Sequence, residues 1–497
     1  RIYLEAMVDY NRTFGRHDVN AMLLYNQDEL VNNVPGNNLI NSLPKRKQGL
    51  AGRLSYAYDG KYMAEVNMGY NGSENFAKGH RWGFFPSIAL GYNISEESFF
   101  EPLRKVITSM KLRGSWGLVG NDQIGGERFI YMPTINLSGK GFTTGIDQNY
   151  GLSGPVYTRY ENNSITWEVG EKINLGIDLQ LLNSLNIVVD IFRETRRDIF
   201  QKKGTIPTYL GTGNTDVFGN LAEMKNQGLD LSIDYNKAFS KDFYMNFKGT
   251  FTYAHNEITK YDEAPKYAFQ SKVGQSANVS QGYLSNGLFL DEAEIDRYNQ
   301  QMGSTLGAGD IKYLNVSNMH GYGDDIVDVD DWTWIGNPTV PEIVYGFGPS
   351  FKYKNWDFSF FFQGVAKTSL FMSGFHPFGD NSLRNVLQFV ANDRWSPTNQ
   401  NVDAKYPRLT RKTSLNNTNP GNSGRTSDYW MRDGSFLKLK NMELGYTFKR
   451  MRFYISGSNL LTFSKFDLWD PEQGGGSGLK YPTQRVFNVG FQMTFNN

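Results

Sequence analysis

The chain has 497 residues, of which 39% are hydrophobic and 15% are aromatic. Its net charge of +1 argues against a basic surface for nucleic acid, so no nucleic-acid partner is expected. The absence of Cys excludes disulfides, CxxC redox motifs and Cys-type zinc sites. No run approaches 18 consecutive apolar residues, so the sequence predicts no transmembrane helix.

Apolar and polar residues alternate from one end of the chain to the other, which predicts β-strands throughout. We count about 15 strands, most of them as long as the roughly 9–11 residues that a tilted strand needs to cross a bilayer. In chain order they lie near residues 2–13, 16–28, 48–58, 62–73, 82–93, 109–119, 165–181, 185–198, 222–238, 242–256, 341–354, 356–367, 436–448, 451–462 and 484–496.

Residues 342–363 show the alternation most clearly, because large rings occupy one face of both predicted strands. We expect this face to meet lipid, with an aromatic girdle near the short turn. The rings assigned to that girdle are Tyr345, Phe351, Tyr353, Trp356 and Phe358. The residues assigned to the opposite, lumen-facing side are Glu342, Ser350, Lys352, Ser359 and Gln363.

Short and long connections alternate along the chain. The short ones are residues 14–18, 59–61, 182–184, 238–241, 354–355 and 449–450, with 94–108 somewhat longer. The long ones are 29–47, 74–81, 120–164, 199–221, 257–340, 368–435 and 463–483. In an up-and-down array of strands, the short connections therefore lie at one end and the long connections at the other. Outer-membrane barrels have the same asymmetry, with short periplasmic turns and longer extracellular loops. The fold class predicted is all-β, a transmembrane antiparallel β-barrel.

A soluble sandwich or propeller would also show alternating strands. That alternative gives no reason for loops of roughly 80 residues to occur at one end only. The strand number is informative as well, because single-chain bacterial barrels usually have an even number of strands. A chain that opens in mid-strand with RIYLEAMVDY and has an odd number of strands is expected to have partner strands upstream.

Several segments, in this order, resemble SusC-type TonB-dependent outer-membrane transporters. They are residues 43–100, 111–122 (KLRGSWGLVGND), 219–235 (GNLAEMKNQGLDLSIDY), 273–289, 394–400 (RWSPTNQ), 431–448 (MRDGSFLKLKNMELGYTF) and 453–472. The resemblance covers essentially all 497 residues, so residues 1–497 are expected to be the C-terminal portion of such a barrel, with long extracellular loops 257–340 and 368–435.

The resemblance implies a 22-strand barrel in the outer membrane of a Gram-negative bacterium, of which this chain supplies the last 15 strands. It implies import of a glycan or other large nutrient, and some members of the family take peptides. The implied partners are a SusD-like surface lipoprotein, the TonB–ExbB–ExbD complex acting through a plug domain, and the plug and early strands of the same protein. A dimer of SusCD pairs is a further expectation.

The acidic run GYGDDIVDVDDW, residues 321–332, lies where members of this family often carry an EF-hand-like loop. With His320 at loop position 1, Asp324, Asp328 and Asp331 fall at positions 5, 9 and 12 and suit Ca²⁺ in the 320–331 loop. The usual Gly at position 6 is replaced by Asp325, which makes the sharp turn harder. The alternative, a solvated acidic loop, is favoured, and no cofactor is required.

Aromatic rings in the predicted loops are candidates for stacking on sugar faces. They are Trp332, Trp334, Trp395, Trp430 and Trp469. The alternative is that long loops need small cores of their own, or that the rings anchor the membrane interface. The Gly-rich segment 472–480 is predicted to be a flexible loop, because no helix follows it to make a phosphate site.

No nucleophile lies beside a base in any recognisable pattern, so no enzyme is predicted. Active import through the barrel is the first hypothesis. A structural or adhesive barrel that transports nothing, and a passive pore, are the alternatives. A plug domain and a TonB box upstream would separate the first hypothesis from the other two.

Overall fold

A computed structural model describes the chain at residues 1–32, 39–125, 128–207, 209, 215–298, 300–301, 306–322, 324–373, 386–409 and 426–495. Parts of the predicted loops 257–340 and 368–435, and the last residue of the predicted strand 484–496, lie outside the described residues. Among the described residues, no helix is both long and apolar enough to cross a membrane.

Fifteen strands form one antiparallel sheet in which the sheet order follows the chain order. They are β1 (Ile2–Phe14), β2 (His17–Leu30), β3 (Lys45–Tyr58), β4 (Tyr62–Ser73), β5 (Trp82–Asn93), β6 (Ile107–Asn121), β9 (Glu168–Leu181), β10 (Leu185–Lys202), β11 (Phe218–Ala238), β12 (Phe243–Lys260), β19 (Ile343–Tyr353), β20 (Trp356–Ala366), β23 (Phe436–Phe448), β24 (Met451–Ser464) and β25 (Val486–Met493). The prediction of about 15 strands is confirmed, with differences of a few residues at the ends.

The remaining strands and the helices lie in the connections that the sequence left irregular. The strands are β7 (Thr134–Thr144), β8 (Tyr150–Arg159), β13 (Ser280–Gly282), β14 (Ser285–Leu288), β15 (Gln300–Gln301), β16 (Ile311–Tyr313), β17 (Ile326–Val327), β18 (Thr333–Ile335), β21 (Ser369–Phe371) and β22 (Met431–Asp433). The α-helices are α1 (Leu39–Ser42), α2 (Glu292–Arg297), α3 (Val316–Met319) and α4 (Gln388–Asn392). The 3₁₀ segments include Ile94–Glu96, Ser98–Leu103, Ala268–Gln270, Val329–Asp331, Asp428–Trp430 and Pro471–Gln473. The long connections therefore contain structure of their own.

The register of β19 against β20 confirms the predicted division of faces. Phe351 pairs with Phe358, and Tyr353 pairs with Trp356. Directly paired residues share a face, so these rings lie together, and the Phe351 and Phe358 rings are parallel with centroids 6.5 Å apart. Ser350 pairs with Ser359 and Lys352 with Asp357, which places the small and polar residues together on the other face.

The short connections are tight because their residues adopt left-handed backbone conformations. In the turn between β3 and β4, Asp59 has φ of 53° and Gly60 has φ of 66°. Two successive positive φ values suit the two-residue hairpin turns whose twist matches that of paired strands. The left-handed conformations of Asp59 and Gly60 thus explain why the predicted short connection between β3 and β4 can be so tight.

The chain divides into two compact units, each with its own loop core. The first comprises residues 1–232, 254–264 and 272–274, and the second comprises 233–253, 265–271 and 275–497. In the first unit, a small core under the loops contains Phe76, Ile124, Ile130, Ile165 and Trp167. Beside it the guanidinium of Arg128, only 7% exposed, donates to the carbonyl oxygens of Ile40, Leu43 and Pro44 and ties two loops together.

Candidate ligand-binding site

The long loops of the second unit share one hydrophobic core. Its buried members are Tyr283, Leu288, Ile311, Tyr313, Val327, Leu370, Met372, Val390, Trp395, Ala404, Tyr406, Trp430 and Phe466. They come from the loops 257–340, 368–435 and 463–483, so residues far apart in sequence bury one another. Loops of this length need such a core, because backbone and side-chain ordering must be offset by buried apolar surface.

Two of the predicted ligand-stacking tryptophans are part of this core. Trp430 is fully buried and Trp395 is 5% exposed. Trp430 also packs edge-on against Tyr429, with ring centroids 5.4 Å apart. Burial on this scale supports the packing interpretation of both rings, since neither offers an open face to a sugar.

Trp334 and Trp469 are half-buried and use their indole nitrogens to hold loop backbone. Trp334 Nε1 donates to the carbonyl oxygen of Ser271 at 2.9 Å, and Trp469 Nε1 donates to that of Gly474 at 3.0 Å. Trp469 also meets Phe466 edge-on, with centroids 4.5 Å apart. Each of these rings positions a turn, whatever else it contacts.

Trp332 differs from the other four tryptophans because 37% of it is exposed. It lies edge-on to Tyr283, with centroids 6.0 Å apart and planes at 85°. A sugar-stacking ring needs an accessible face, so among these five rings Trp332 fits that role best. Sugar stacking by any of the five stays a prediction.

The predicted calcium ligands lie in one loop, where the oxygens of Asp331 are already engaged in hydrogen bonds. Asp331 is fully buried, and its Oδ1 accepts from the backbone N–H of Ser317 at 2.9 Å. Its Oδ2 accepts from the N–H of Asp328 at 2.8 Å. Burial raises the pKa of the Asp331 carboxyl, and these backbone donors oppose that rise.

The other two carboxylates are engaged in the same way. Asp328 Oδ1 accepts from the N–H of Asp330 at 2.8 Å, while Asp324 accepts from Asn315 Nδ2 and from Ser317 Oγ, both at 3.1 Å. In the described stretches of the chain, no group of three or more His, Cys, Asp or Glu side chains is placed to hold a metal. The donor set therefore fits loop-closing hydrogen bonds better than cation binding, and Ca²⁺ in the 320–331 loop stays a prediction.

A buried lysine on β23 is a site residue that the sequence reading missed. Lys438 has no exposed side-chain area, and its Nζ lies 2.5 Å from Asp470 Oδ2 and 2.7 Å from Glu472 Oε2. Lys440 Nζ lies 2.7 Å from Glu472 Oε1. Two lysines and two carboxylates thus pin the last long loop to the strand. The sequence did contain a signal for this site. Lys438 and Lys440 lie two residues apart near the start of β23, just after a long loop.

The acidic partners in this cluster have perturbed pKa values. Burial is the largest single influence and acts to raise the pKa of Asp470 and of Glu472, but the hydrogen bonds from Lys438 and from the other donors together outweigh it, so both values are lowered. The backbone N–H of Glu472 also donates to Asp470, and Lys440 also donates to Glu472. Both carboxylates are therefore held in their charged form near neutral pH.

A second ion pair joins the two longest loops. Arg408 Nε lies 2.5 Å from Asp310 Oδ1, and Arg408 Nη2 lies 3.1 Å from Asp310 Oδ2. Asp310 has no exposed side-chain area. This bidentate contact fixes the segment after α4 against the segment before β16. The two residues are 98 positions apart in the sequence.

On the polar faces of the strands, Arg113 and Arg452 each form ion pairs with two carboxylates. In the first unit, the guanidinium of Arg113 lies 2.7 Å from Asp178 and 3.0 Å from Asp190. In the second unit, Arg452 binds both Asp357 and Glu443. Each group has one arginine shared by two carboxylates on neighbouring strands, so the polar faces present fixed, partly neutralised charge.

A 15-strand antiparallel sheet with aromatic residues on one face and charged residues on the other defines an outer-membrane β-barrel protein. The chain belongs to the family described as TonB dependent receptor-like, beta-barrel, whose model matches residues 2–460. This family consists of transporters and not of enzymes, and its members lie in the outer membrane. The predicted fold class and location are confirmed.

Curated relatives include TonB-dependent receptors from two bacteria. TonB-dependent receptor P3 of Formosa agariphila is 25% identical over 551 residues, which cover 99% of this chain and 52% of the relative. TonB-dependent receptor SusC of Bacteroides thetaiotaomicron is 28% identical over 471 residues, which cover 89% of this chain and 43% of the relative. The chain thus spans about half the length of the curated relatives it matches.

Among solved structures, the fold is similar to that of the RagAB peptide transporter. The TM-score is 0.71 at 19% sequence identity, and the match covers 99% of this chain and 55% of that chain. The RagAB peptide importer in its open-open state gives the same TM-score at 20% identity. At this level of identity the likeness shows the fold alone.

Proposed function

We propose that this chain is the C-terminal barrel portion of a SusC-like transporter that imports a glycan across the outer membrane by TonB-dependent active transport. The observation that carries the proposal is the shared core of the long loops in the second unit. A barrel whose loops at one end are packed into a structured layer presents a preorganised surface to a ligand. A passive pore or a structural barrel does not need such a surface.

The proposed partners follow from the same family membership. A SusD-like surface lipoprotein covers the loop end and captures the glycan, and two such pairs associate as a dimer. The plug domain and early strands of the same protein complete a 22-strand barrel. The TonB–ExbB–ExbD complex supplies energy by pulling on the plug. Each of these partners is a proposal, because the chain spans only about half of its relatives.

Glycan import is the favoured substrate class, and peptide import by the same mechanism is the second candidate. The observation behind the second candidate is the fold likeness to the RagAB peptide transporter. A likeness at 19% identity does not carry a substrate from one protein to another. The glycan proposal is supported by the exposed indole of Trp332 among the loops.

The test is uptake of labelled oligosaccharides and labelled peptides by cells that express the full-length transporter. We expect oligosaccharide uptake that stops when TonB is deleted or the proton gradient is collapsed. Uptake that continues without TonB would establish a passive pore, and TonB-dependent uptake of peptides alone would establish the second candidate. Copurification of a surface lipoprotein with the transporter tests the partner.

A further inference from the structure

A cavity of about 520 Å³ lies within the second unit, where three loops meet the end of strand β20. Gln363 and Val365 of β20 line one side, and Phe371 and Phe436 line the cavity as well. The loop between β24 and β25 lines another side of the cavity with Glu472 and the three glycines at 474–476. The volume falls within the range of roughly 300–1,000 Å³ that is usual for small-molecule sites.

The glycine side of the cavity is fixed backbone. The N–H of Gly476 donates to the carbonyl oxygen of Phe371 at 2.8 Å, and the N–H of Ser373 donates to that of Gly476 at 2.9 Å. A Cβ atom at Gly475 would lie 2.6 Å from the Phe371 oxygen, so only glycine allows this approach. These contacts hold Gly475 and Gly476 against the backbone of Phe371, and the flexibility predicted for segment 472–480 stays a prediction.

The cavity is electrically balanced despite the carboxylate in its wall. Glu472 is bound by Lys438 at 2.7 Å and by Lys440 at 2.7 Å, and Lys438 also binds Asp470. Two positive and two negative charges are thus paired with one another. Among the described residues of the cavity wall, a charged ligand group would find no uncompensated partner, and it would lose its hydration on entering.

Gln363 is a polar group of the cavity that remains available to a ligand. It pairs directly with Lys438 across β20 and β23, so both side chains lie on the same face of the sheet. The amide is half-buried and lines the cavity. Within the described part of the chain, it makes no side-chain hydrogen bond. An amide offers two donors and one acceptor, which suits adjacent sugar hydroxyls.

We infer that this cavity is a subsite for one uncharged sugar unit of the imported glycan, with Gln363 as the hydrogen-bonding residue and Phe371 and Phe436 as apolar contacts. The inference rests on the proposed function and narrows its substrate class to neutral saccharide units at this position. Apolar surface beside a hydroxyl-binding amide matches the two kinds of surface that a sugar ring presents. The fixed glycine backbone keeps the subsite formed before the ligand arrives.

The test measures binding to the purified full-length transporter with three probes: neutral hexasaccharides, hexasaccharides containing uronic acid, and a pool of short peptides. Gln363→Ala removes the amide, and Gln363→Asn retains a shorter one. Ser359→Ala is the matched control, because Ser359 lies on the same face of β20 as Gln363, four residues along the strand, and is not among the residues that line the cavity. Retention of the folded barrel is checked by its mobility in unheated gel samples.

We expect Gln363→Ala to weaken binding of a neutral hexasaccharide about fivefold to tenfold, with partial recovery in Gln363→Asn and no change in Ser359→Ala. Equal binding of neutral hexasaccharides by the wild type and Gln363→Ala would overturn the subsite and leave glycan import standing. Binding of peptides alone would overturn both the subsite and the glycan proposal. Preference for the uronic acid probe would overturn the neutral character of the subsite.

Discussion

Two aromatic rings at the turn between β19 and β20 and two aromatic rings in the loop core of the second unit have opposite exposures. In the hairpin of β19 and β20, Tyr353 is 54% exposed and Trp356 is 51% exposed. In the loop core, Trp430 is fully buried and Trp395 is 5% exposed. The residue types are the same, so the difference comes from what surrounds each region.

The strand rings need no protein layer over them, because lipid covers the outer face of a membrane barrel. The loops extend into water, where apolar side chains are stable only when other side chains cover them. Long loops therefore have to fold as a small domain, while the strands can leave their rings outside. Substitutions that remove a buried ring from the loop core, or that place a charge on the lipid-facing side of a strand, should therefore lower stability in different parts of the protein.

The largest effect is expected from Trp430→Ala in the loop core. Truncation of a fully buried tryptophan costs about 3–5 kcal/mol, so the loops should unfold locally while the strands stay paired. Limited proteolysis of the full-length protein would show faster cleavage within the loops 257–340 and 368–435. Trp332→Ala is the control, because its partly exposed ring should cost far less. Equal protease resistance of Trp430→Ala and the wild type would contradict the loop core.

Phe360→Lys tests the lipid-facing side of β20. A lysine at mid-membrane depth on the lipid face costs about 2–4 kcal/mol, whereas near an interface the cost falls to about 0–1 kcal/mol. Tyr353→Lys at the turn is therefore the matched control. Denaturant unfolding of the barrel in lipid would measure both. A similar loss of stability at the two positions would mean that the cost of a lysine on this face does not depend on its depth in the membrane.

Lys438→Met tests how the last long loop is attached. Loss of the ammonium group removes the lysine partner of Asp470 and leaves Glu472 with Lys440 as its lysine partner, which we expect to cost about 1–3 kcal/mol. The loop at residues 465–485 should become more sensitive to protease. Lys440→Met should have a smaller effect, because Lys440 contacts Glu472 alone and lies partly exposed. An unchanged loop in both variants would contradict a role for the charge cluster.

The same cluster predicts a pH dependence. The folded pKa values of Asp470 and Glu472 lie below their ordinary values of 3.8 and 4.5. Their contribution to stability is therefore complete above those ordinary values and is lost as the pH falls through the lowered folded values. Loop stability measured between pH 6 and pH 2 should decline in the wild type at the acid end, and this decline should be reduced in Lys438→Met.

The smallest effect expected is that of calcium on the 320–331 loop. At ten times its Kd, a bound ion would stabilise the loop by about 1.4 kcal/mol. The measurement is the unfolding temperature with added calcium or with a chelator, and Asp328→Asn is the variant that should abolish the shift. The absence of any shift at millimolar calcium would contradict the calcium prediction.

The strands could be predicted from the sequence because the pattern that indicates a strand lies within the strand itself. A period of two in Ile343–Tyr353 and Trp356–Ala366 follows from the pleat, and short turns such as Asp59–Gly60 have their own backbone signals. The loop site was not readable in this way. Trp395 and Trp332 are both loop tryptophans in the sequence, and nothing beside them indicates that one is buried and the other exposed.

The sequence by itself determined the all-β class, the position of each sheet strand and the alternation of short and long connections. Hydrophobic periodicity acts over neighbouring residues, so one chain segment is enough to show it. Only the tertiary structure decided that the loops share a core, that Lys438 is buried against Asp470, and that Gln363 and Gly475 line one cavity. Those features depend on contacts between residues tens of positions apart, and such contacts leave no periodic signal in the chain.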